Sequence, residues 1–167
     1  VQMMARVAEA SEPYLFDERF PDRTRVRARV ALAVGIAAVQ TAENINASCI
    51  VAPTISGYTA RLVSNLRPRV PIYAVTPSER VMRQQQIHWG VTPMLADVQG
   101  DMQHVVDSAR SAVVARGCVR PGDVAVFTAG DRSTSPIVSP GADGSPDKVA
   151  ATNVMYVVQI RGKDGQD

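Results

Sequence analysis

Short apolar runs alternate along this chain with longer segments in which apolar residues recur at helical spacing. The short runs are rich in valine and other small or β-branched apolar residues, and they are too short for helices, which is typical of buried strands. The predicted strands span residues 48–53, 71–75, 91–95, 123–129 and 152–160.

The segments between these strands have the periodicity and the boundary residues of helices. One apolar stripe begins at Met102 with spacings of three and four, and Gly117 follows it as a C-terminal stop. Thr76, Pro77 and Glu79 form the pattern of a capped helix start, with Thr76 as the N-cap. The predicted helices span residues 1–11, 27–46, 58–66, 77–88 and 102–116.

Alternation of helices with short apolar strands predicts an α/β fold built around a mostly parallel sheet. The connections between parallel strands are expected to be right-handed. Ligands of such open sheets bind at the carboxyl ends of the strands, where the strand order reverses. The loops that follow the first and the fourth strand are therefore the places to search for a site.

Composition and charge exclude several classes of protein. The 167 residues are 46% hydrophobic and 20% charged, which is typical of one globular domain and excludes a disordered tail or a coiled coil. A net charge of +2 with scattered basic residues does not favour nucleic-acid binding. No apolar run approaches the ~20 residues that a membrane helix needs. Cys49 and Cys118 match no metal-site spacing, so we expect reduced thiols in the cytoplasm.

The loop after the first strand places three hydroxyls and a glycine where a helix begins. Free backbone N–H groups and a partial positive charge make a helix N-terminus an anion site, and Arg61 lies one turn further on. An alternative is that Ser56 only caps the helix and Gly57 only turns the chain. The predicted phosphate-binding residues are Thr54, Ser56, Gly57, Tyr58 and Thr59.

Residues 52–68, A-P-T-I-S-G-Y-T-A-R-L-V-S-N-L-R-P, resemble the C-terminal domain of pyruvate kinases, which has a T-x-S-G-x-[ST]-A-R stretch before a helix and an Arg-Pro. Residues 1–10 resemble the last helix of the catalytic barrel in that family. The likeness continues, in the family's order, through residues 71–76, 90–93, 122–126, 128–130 and 151–158.

The resemblance implies a three-layer α/β/α architecture with a five-stranded, mostly parallel sheet whose last strand is antiparallel. It also implies a division of the chain, which begins with Val1 and is expected to be cut from a longer protein. The expected parts are the end of the last barrel helix (1–11), a crossing segment or hinge (12–26), the C-terminal domain (27–162) with a loop insertion (131–148), and a frayed tail (163–167).

The implied parent enzyme transfers phosphate from phosphoenolpyruvate to ADP in a barrel that holds Mg²⁺ and K⁺. We expect no catalytic residue, metal site or cofactor in this chain, because the barrel is missing apart from its last helix. The resemblance implies a regulatory domain that binds a phosphorylated effector, either a sugar phosphate or AMP. It also implies contacts with the barrel of its own chain and with other copies in a homotetramer. Within the insertion, Arg132, Ser133 and Thr134 are possible effector contacts.

The identity of the effector and two other functions stay open. Residues 96–104 contain neither the tryptophan nor the arginine that helps to hold a second phosphate in members activated by fructose 1,6-bisphosphate. A monophosphate such as AMP, ribose 5-phosphate or glucose 6-phosphate therefore has equal weight. The other functions are a structural oligomerisation module without an effector and a free-standing phosphate-binding protein of the same fold.

Overall fold

The computed structural model describes residues 2–11, 30–130 and 152–161. Its helices are α1 (Gln2–Ser11), α2 (Val30–Asn44), α3 (Tyr58–Asn65), α4 (Glu79–Gln85) and α5 (Met102–Ala115). Its strands are β1 (Cys49–Pro53), β2 (Ile72–Thr76), β3 (Val91–Leu95), β4 (Val124–Ala129) and β5 (Val154–Gln159).

Every predicted helix and strand is present, with ends that differ by a few residues. The predicted hinge (12–26), loop insertion (131–148) and tail (163–167) lie outside the described residues. The described helices and strands thus confirm the predicted alternation from α2 to β5.

The five strands form one sheet in the order β3-β2-β1-β4-β5. Neighbouring strands from β3 to β4 are parallel, and β5 pairs antiparallel with β4. The mostly parallel sheet with an antiparallel last strand is therefore confirmed. The strand order reverses between β1 and β4, so the loops that follow these two strands begin side by side at the carboxyl end of the sheet.

The core lies on both faces of the sheet, because successive side chains of a strand point to opposite faces. Ile50 and Ala52 of β1 pack in one cluster with α2 and α3. Cys49 and Val51 pack in the other cluster with α5, together with Phe127, a large and fully buried side chain of β4. Helices cover both faces, which confirms the three-layer α/β/α architecture.

A glycine sets the close packing of α2 against α3. A Cβ at Gly35 would overlap Cδ2 of Leu62 and would lie 3.5 Å from Cδ1 of Leu66. Gly35 therefore lets α3 lie close to α2, and this contact fixes the position of the helix that begins at the candidate site.

The predicted N-cap of α4 is wrong. The cap is Ser78, whose Oγ accepts a hydrogen bond from the N–H of Val81 at 3.4 Å. Thr76 instead ends β2, where its carbonyl accepts a hydrogen bond from the N–H of Ala96 at 3.1 Å. Pairing with β3 therefore extends β2 by one residue and delays the helix. The helix also ends early, at Gln85.

The amino end of the sheet holds weakly polar groups in an apolar setting. Cys49 is fully buried, Cys118 is half-buried, and both cysteines are free. Burial, together with the smaller effects of nearby Cys118 and Asp123, raises the pKa of the Cys49 thiol to about 12. Burial, followed by contact with Cys118, also raises the pKa of Tyr73 to about 12. These groups stay neutral in the folded protein over the ordinary pH range.

The longest of the described helices, α2, has 15 residues. No helix in the described ranges combines the length and the apolar composition needed to cross a bilayer.

Candidate phosphate-binding site

The loop between β1 and α3 leaves the carboxyl end of the sheet where the strand order reverses. Thr54 still belongs to the ladder, since its N–H donates to the carbonyl of Val75 at 2.8 Å. The chain then turns, and the N–H of Gly57 donates back to Oγ1 of Thr54 at 2.9 Å. The buried Thr54 side chain therefore holds the loop in a closed turn.

Gly57 is the N-cap residue of α3 and has a φ of +82°, in the left-handed region that only glycine adopts without strain. Of the alternative interpretation, the cap at Ser56 is wrong, because the N-cap residue is Gly57, and the turn at Gly57 is confirmed. The exposed Ser56 Oγ accepts a hydrogen bond from the N–H of Tyr58 at 3.4 Å.

The hydroxyls of the loop accept bonds from the backbone and keep their own protons available. A threonine or serine hydroxyl has one O–H donor and two acceptor positions. Oγ1 of Thr54 and Oγ of Ser56 each accept from a backbone N–H, so each O–H can still donate to an anion. This arrangement orients the hydroxyl oxygens without using up the donors that a phosphate requires.

The third hydroxyl connects the loop to a distant part of the chain. Oγ1 of Thr59, in the first turn of α3, lies 2.6 Å from Oγ1 of Thr152, and both residues are buried. Only one of the two hydroxyls donates in this bond, so the other proton is free to donate elsewhere. Thr152 lies two residues before β5, and the bond therefore ties the helix start to the last strand.

Positive charge accumulates at the start of α3. The helix supplies no acceptor for the N–H groups of Thr59 and Ala60, and the helix dipole adds partial positive charge there. Arg61 is exposed, and its Cζ lies 5.8 Å from the centroid of the Tyr58 ring. The ring thus keeps the guanidinium within one turn of the loop.

Two buried side-chain oxygens of the described residues have no hydrogen-bond partner, Gln85 Oε1 and Thr128 Oγ1. The Gln85 side chain packs on Gly57, where a Cβ would lie 2.8 Å from its Cδ. Thr128 lies near the end of β4. Phe127 pairs with Val51 of β1, so the next residues along these parallel strands, Thr128 and Ala52, are neighbours. Of these two oxygens, that of Gln85 therefore belongs to a side chain in contact with the loop.

All five predicted residues lie together in this loop, but they differ in how deeply they are buried. Thr54, Gly57 and Thr59 are buried, Tyr58 is half-buried and Ser56 is exposed. The other predicted contacts, Arg132, Ser133 and Thr134, lie outside the described residues.

Sequence reasoning missed two residues of the site, Thr152 and Gln85. Thr152 falls within the family-like stretch 151–158, but nothing in that stretch indicates a bond to Thr59. Gln85 follows Val81 by four residues, which places both on one face of α4, yet a glutamine amid polar neighbours gives no sign of burial.

A known protein family matches most of this chain. Residues 32–139 match the family described as "Pyruvate kinase, alpha/beta domain", and this range includes β1, the loop, α3 and β4. The match covers more than half of the chain. It confirms the resemblance found in the sequence motifs.

Individual relatives agree. Pyruvate kinase of Staphylococcus epidermidis (strain RP62A) is 40% identical over 124 residues, which cover 74% of this chain and 21% of the relative. Pyruvate kinase of Staphylococcus aureus (strain USA300) has the same identity and coverage. The chain thus spans about a fifth of the length of these curated relatives. On the strength of the fold, the loop motif and these matches, the chain belongs to the pyruvate kinase alpha/beta domain family, the C-terminal domain of those enzymes.

Proposed function

We propose that this chain is the regulatory domain of a pyruvate kinase and binds a phosphorylated small molecule in the loop Thr54–Thr59. The supporting observation is the set of hydroxyls at the start of α3, which accept from the backbone while keeping donors for an anion. The first-turn N–H groups of the helix add donors and partial positive charge. A phosphate group fits this arrangement, because its oxygens are strong acceptors and carry negative charge.

The ligand class is a phosphate ester, either a sugar phosphate or AMP. The loop supplies donors for one phosphate group, whereas a second phosphate would need further cations. The other possible effector contacts, Arg132, Ser133 and Thr134, lie outside the described residues. A monophosphate therefore needs only the residues of the loop.

The parent enzyme, on this proposal, transfers phosphate from phosphoenolpyruvate to ADP in its barrel. Within residues 2–11, 30–130 and 152–161, no three His, Cys, Asp or Glu side chains come together as a metal site. We assign the Mg²⁺ and K⁺ of the reaction to the barrel, as the resemblance to pyruvate kinases implies. The two free cysteines fit the reducing cytoplasm in which such an enzyme works.

The helix α1 is, on this proposal, the end of the last barrel helix, and its partner is the rest of the barrel. Met3 and Met4 expose 71% and 76% of their surface, and Val7 exposes 61%. An amphipathic helix of three turns gains stability from a partner that covers its apolar residues. Effector binding regulates the barrel if the effector binds one arrangement of the subunits better, by about 1–3 kcal/mol.

The test is a thermal-unfolding titration of this chain with AMP, ribose 5-phosphate, glucose 6-phosphate, fructose 1,6-bisphosphate and inorganic phosphate. A ligand at ~100 times its Kd adds about 2.7 kcal/mol, which corresponds to a shift of a few degrees in Tm. We expect at least one ester to stabilise the chain well beyond inorganic phosphate.

Charge substitutions then locate the site. Ser56→Asp places a negative charge where the phosphate would bind, so the shift caused by the best ester is expected to disappear. Ser78→Asp is the matched control, since it puts the same charge at the N-cap of α4, where aspartate is also a good cap. Equal ester shifts in both variants would rule out the Thr54–Thr59 loop as the site.

A second function, association of copies through the edge strand β5, is favoured by a difference between the two edges of the sheet. The edge strand β3 contains Pro93, whose carbonyl accepts a hydrogen bond from Arg116 at 3.4 Å. The edge strand β5 has neither proline nor charge, and Tyr156 and Val157 expose 39% and 52% of their surface. Edges of the second kind pair with other chains unless they are protected.

The oligomeric state of the chain tests this second function. We expect light scattering after size exclusion to give a mass above that of one chain, and Val157→Lys to reduce it to one chain. Thr92→Lys, an exposed position on β3, is the control and should leave the mass unchanged. A wild-type chain that is monomeric at high concentration would exclude association through β5 alone.

A further inference from the structure

Three consecutive glutamines in and after α4 have different surroundings. Gln84 and Gln86 are exposed, whereas Gln85 is buried with 3% of its surface accessible. A buried amide is unfavourable unless both of its ends are hydrogen-bonded. Its Oε1 is buried and has no partner among the described residues. Gln85 therefore lowers the stability of the free protein compared with an apolar side chain of the same size.

The Gln85 amide lies against the residue on which the candidate loop turns. A Cβ at Gly57 would overlap Nε2 of Gln85, would lie 2.8 Å from Cδ and would lie 3.4 Å from Cγ1 of Val81. The absence of a side chain at Gly57 thus makes room for the amide. Since interiors are close-packed, a movement of the loop at Gly57 moves the surroundings of Gln85 as well.

The loop beside this amide contains two backbone donors that bond to hydroxyls of the loop. The N–H of Gly57 now donates to Oγ1 of Thr54, and the N–H of Tyr58 donates to Oγ of Ser56. A phosphate that accepts from the hydroxyls shifts the loop that carries them, because it accepts stronger hydrogen bonds than a neutral oxygen does. Rearrangement of the loop around a phosphate is therefore able to bring an N–H or O–H group to Gln85.

We infer that Gln85 is a positioning residue of the Thr54–Thr59 loop, and that its Oε1 gains a hydrogen-bond donor when a phosphate ester binds there. The inference rests on the proposed effector site and adds a residue outside the loop. Binding of the ester then recovers the hydrogen bond that the free protein lacks, and the side chain links α4 to occupancy of the loop.

The test compares the wild-type chain with Gln85→Met and with Gln84→Met, measured with and without AMP, glucose 6-phosphate, ribose 5-phosphate and inorganic phosphate. Methionine fills a similar volume without a polar amide. We expect Gln85→Met to raise the Tm of the ligand-free chain by about 2–6 °C. We also expect it to weaken the binding of the best ester by about three- to tenfold. Gln84→Met, at an exposed position of the same helix, should change neither quantity.

The opposite signs of the two effects distinguish positioning from simple packing. A Gln85→Met variant that binds the ester as tightly as the wild type overturns the inference, and so does a variant with a lower Tm in the absence of ligand. A wild-type chain that responds to none of the esters refutes the effector site itself. The wild-type chain alone gives that result. If the wild type and Gln85→Met both respond equally to an ester, only the inference about Gln85 fails and the effector site stands.

Discussion

The two ends of the same sheet carry buried polar groups of different kinds. At the carboxyl end, Thr54 and Thr59 are buried with their hydroxyls in defined hydrogen bonds at a helix start. At the amino end, Cys49 and Tyr73 lie in an apolar cluster, and burial raises the pKa of each to about 12. The carboxyl end holds hydroxyl donors that remain available to a ligand. At the amino end, burial suppresses the ionisation of the thiol and the phenol.

The difference follows from the direction of the strands. Parallel strands deliver helix N-termini to the carboxyl end, with N–H groups that lack intrahelical acceptors. The amino end receives the ends of helices and short turns, such as Gly117 after α5 with a φ of +67°. Hydroxyls at the carboxyl end therefore lie beside helix N–H groups, whereas the buried thiol of Cys49 at the amino end stays neutral.

The largest effect on stability is expected from Gly57→Ala, which disturbs the loop at the carboxyl end of the sheet. The substitution combines strain at a φ of +82° with overlap against the Gln85 amide. We expect the free energy of unfolding to fall by about 2–4 kcal/mol in urea denaturation.

Gly117→Ala is the matched control for this prediction. Its φ is +67°, but a Cβ there meets nothing within 4 Å, so only the backbone strain remains. We expect a loss of about 1 kcal/mol. Equal losses in the two variants would show that the Gln85 amide does not restrict Gly57.

A smaller effect on stability is expected from alkaline pH, which favours ionisation of the groups at the amino end of the sheet. The pKa of Cys49 is raised from 9.0 to about 12, so the unfolded chain ionises first as the pH rises. The stabilisation is complete below pH 9 and is lost progressively towards pH 12. Between pH 8 and 10, Cys49 alone should lower the free energy of unfolding by about 1.4 kcal/mol.

Urea denaturation at pH 8, 9 and 10 measures this loss. Tyr73, whose pKa is raised from 10.0 to about 12, acts in the same direction at slightly higher pH. Cys49→Ala removes one titrating group, so its stability should depend less on pH over this range. An unchanged pH dependence in Cys49→Ala would contradict the assignment.

The smallest effect concerns the bond between the hydroxyls of Thr59 and Thr152, which are 2.6 Å apart. Thr59→Val and Thr152→Val each leave one buried hydroxyl without its partner, whereas the double variant removes both. We expect a coupling free energy of about 1 kcal/mol in a double-mutant cycle of urea denaturation. Additive losses would mean that the two hydroxyls stabilise the fold independently.

Local sequence patterns predicted most of the fold, because the patterns and the tertiary contacts agree. The stripe that begins at Met102 and ends before Gly117 is such a case, since α5 spans Met102–Ala115. The predicted start of α4 was wrong because Thr76 and Ser78 are both good N-cap residues. Pairing of β2 with β3 keeps Thr76 in the strand, so Ser78 is the cap. Long-range strand pairing of this kind leaves no local signal.

The candidate loop was predicted from hydroxyls and a glycine at a strand-to-helix turn, and Gly57 does turn the chain there. Its supporting contacts were not predictable. Thr59 and Thr152 are 93 positions apart in the sequence. Gln85 has the same residue type as its exposed neighbours, and only its packing on Gly57 distinguishes it.

The sequence by itself determined the order of helices and strands, the turn at Gly57 and the family of the chain. These properties depend on periodicity, on backbone freedom and on short motifs, all of which are local. The tertiary structure alone decided which hydroxyl bonds to which and which glutamine is buried against the loop. The bond between Thr59 and Thr152 depends on the strand order, which brings β1, β4 and β5 together. The burial of Gln85 depends on how α4 packs beside β2 and β3. Both outcomes are set by packing between residues far apart in the chain.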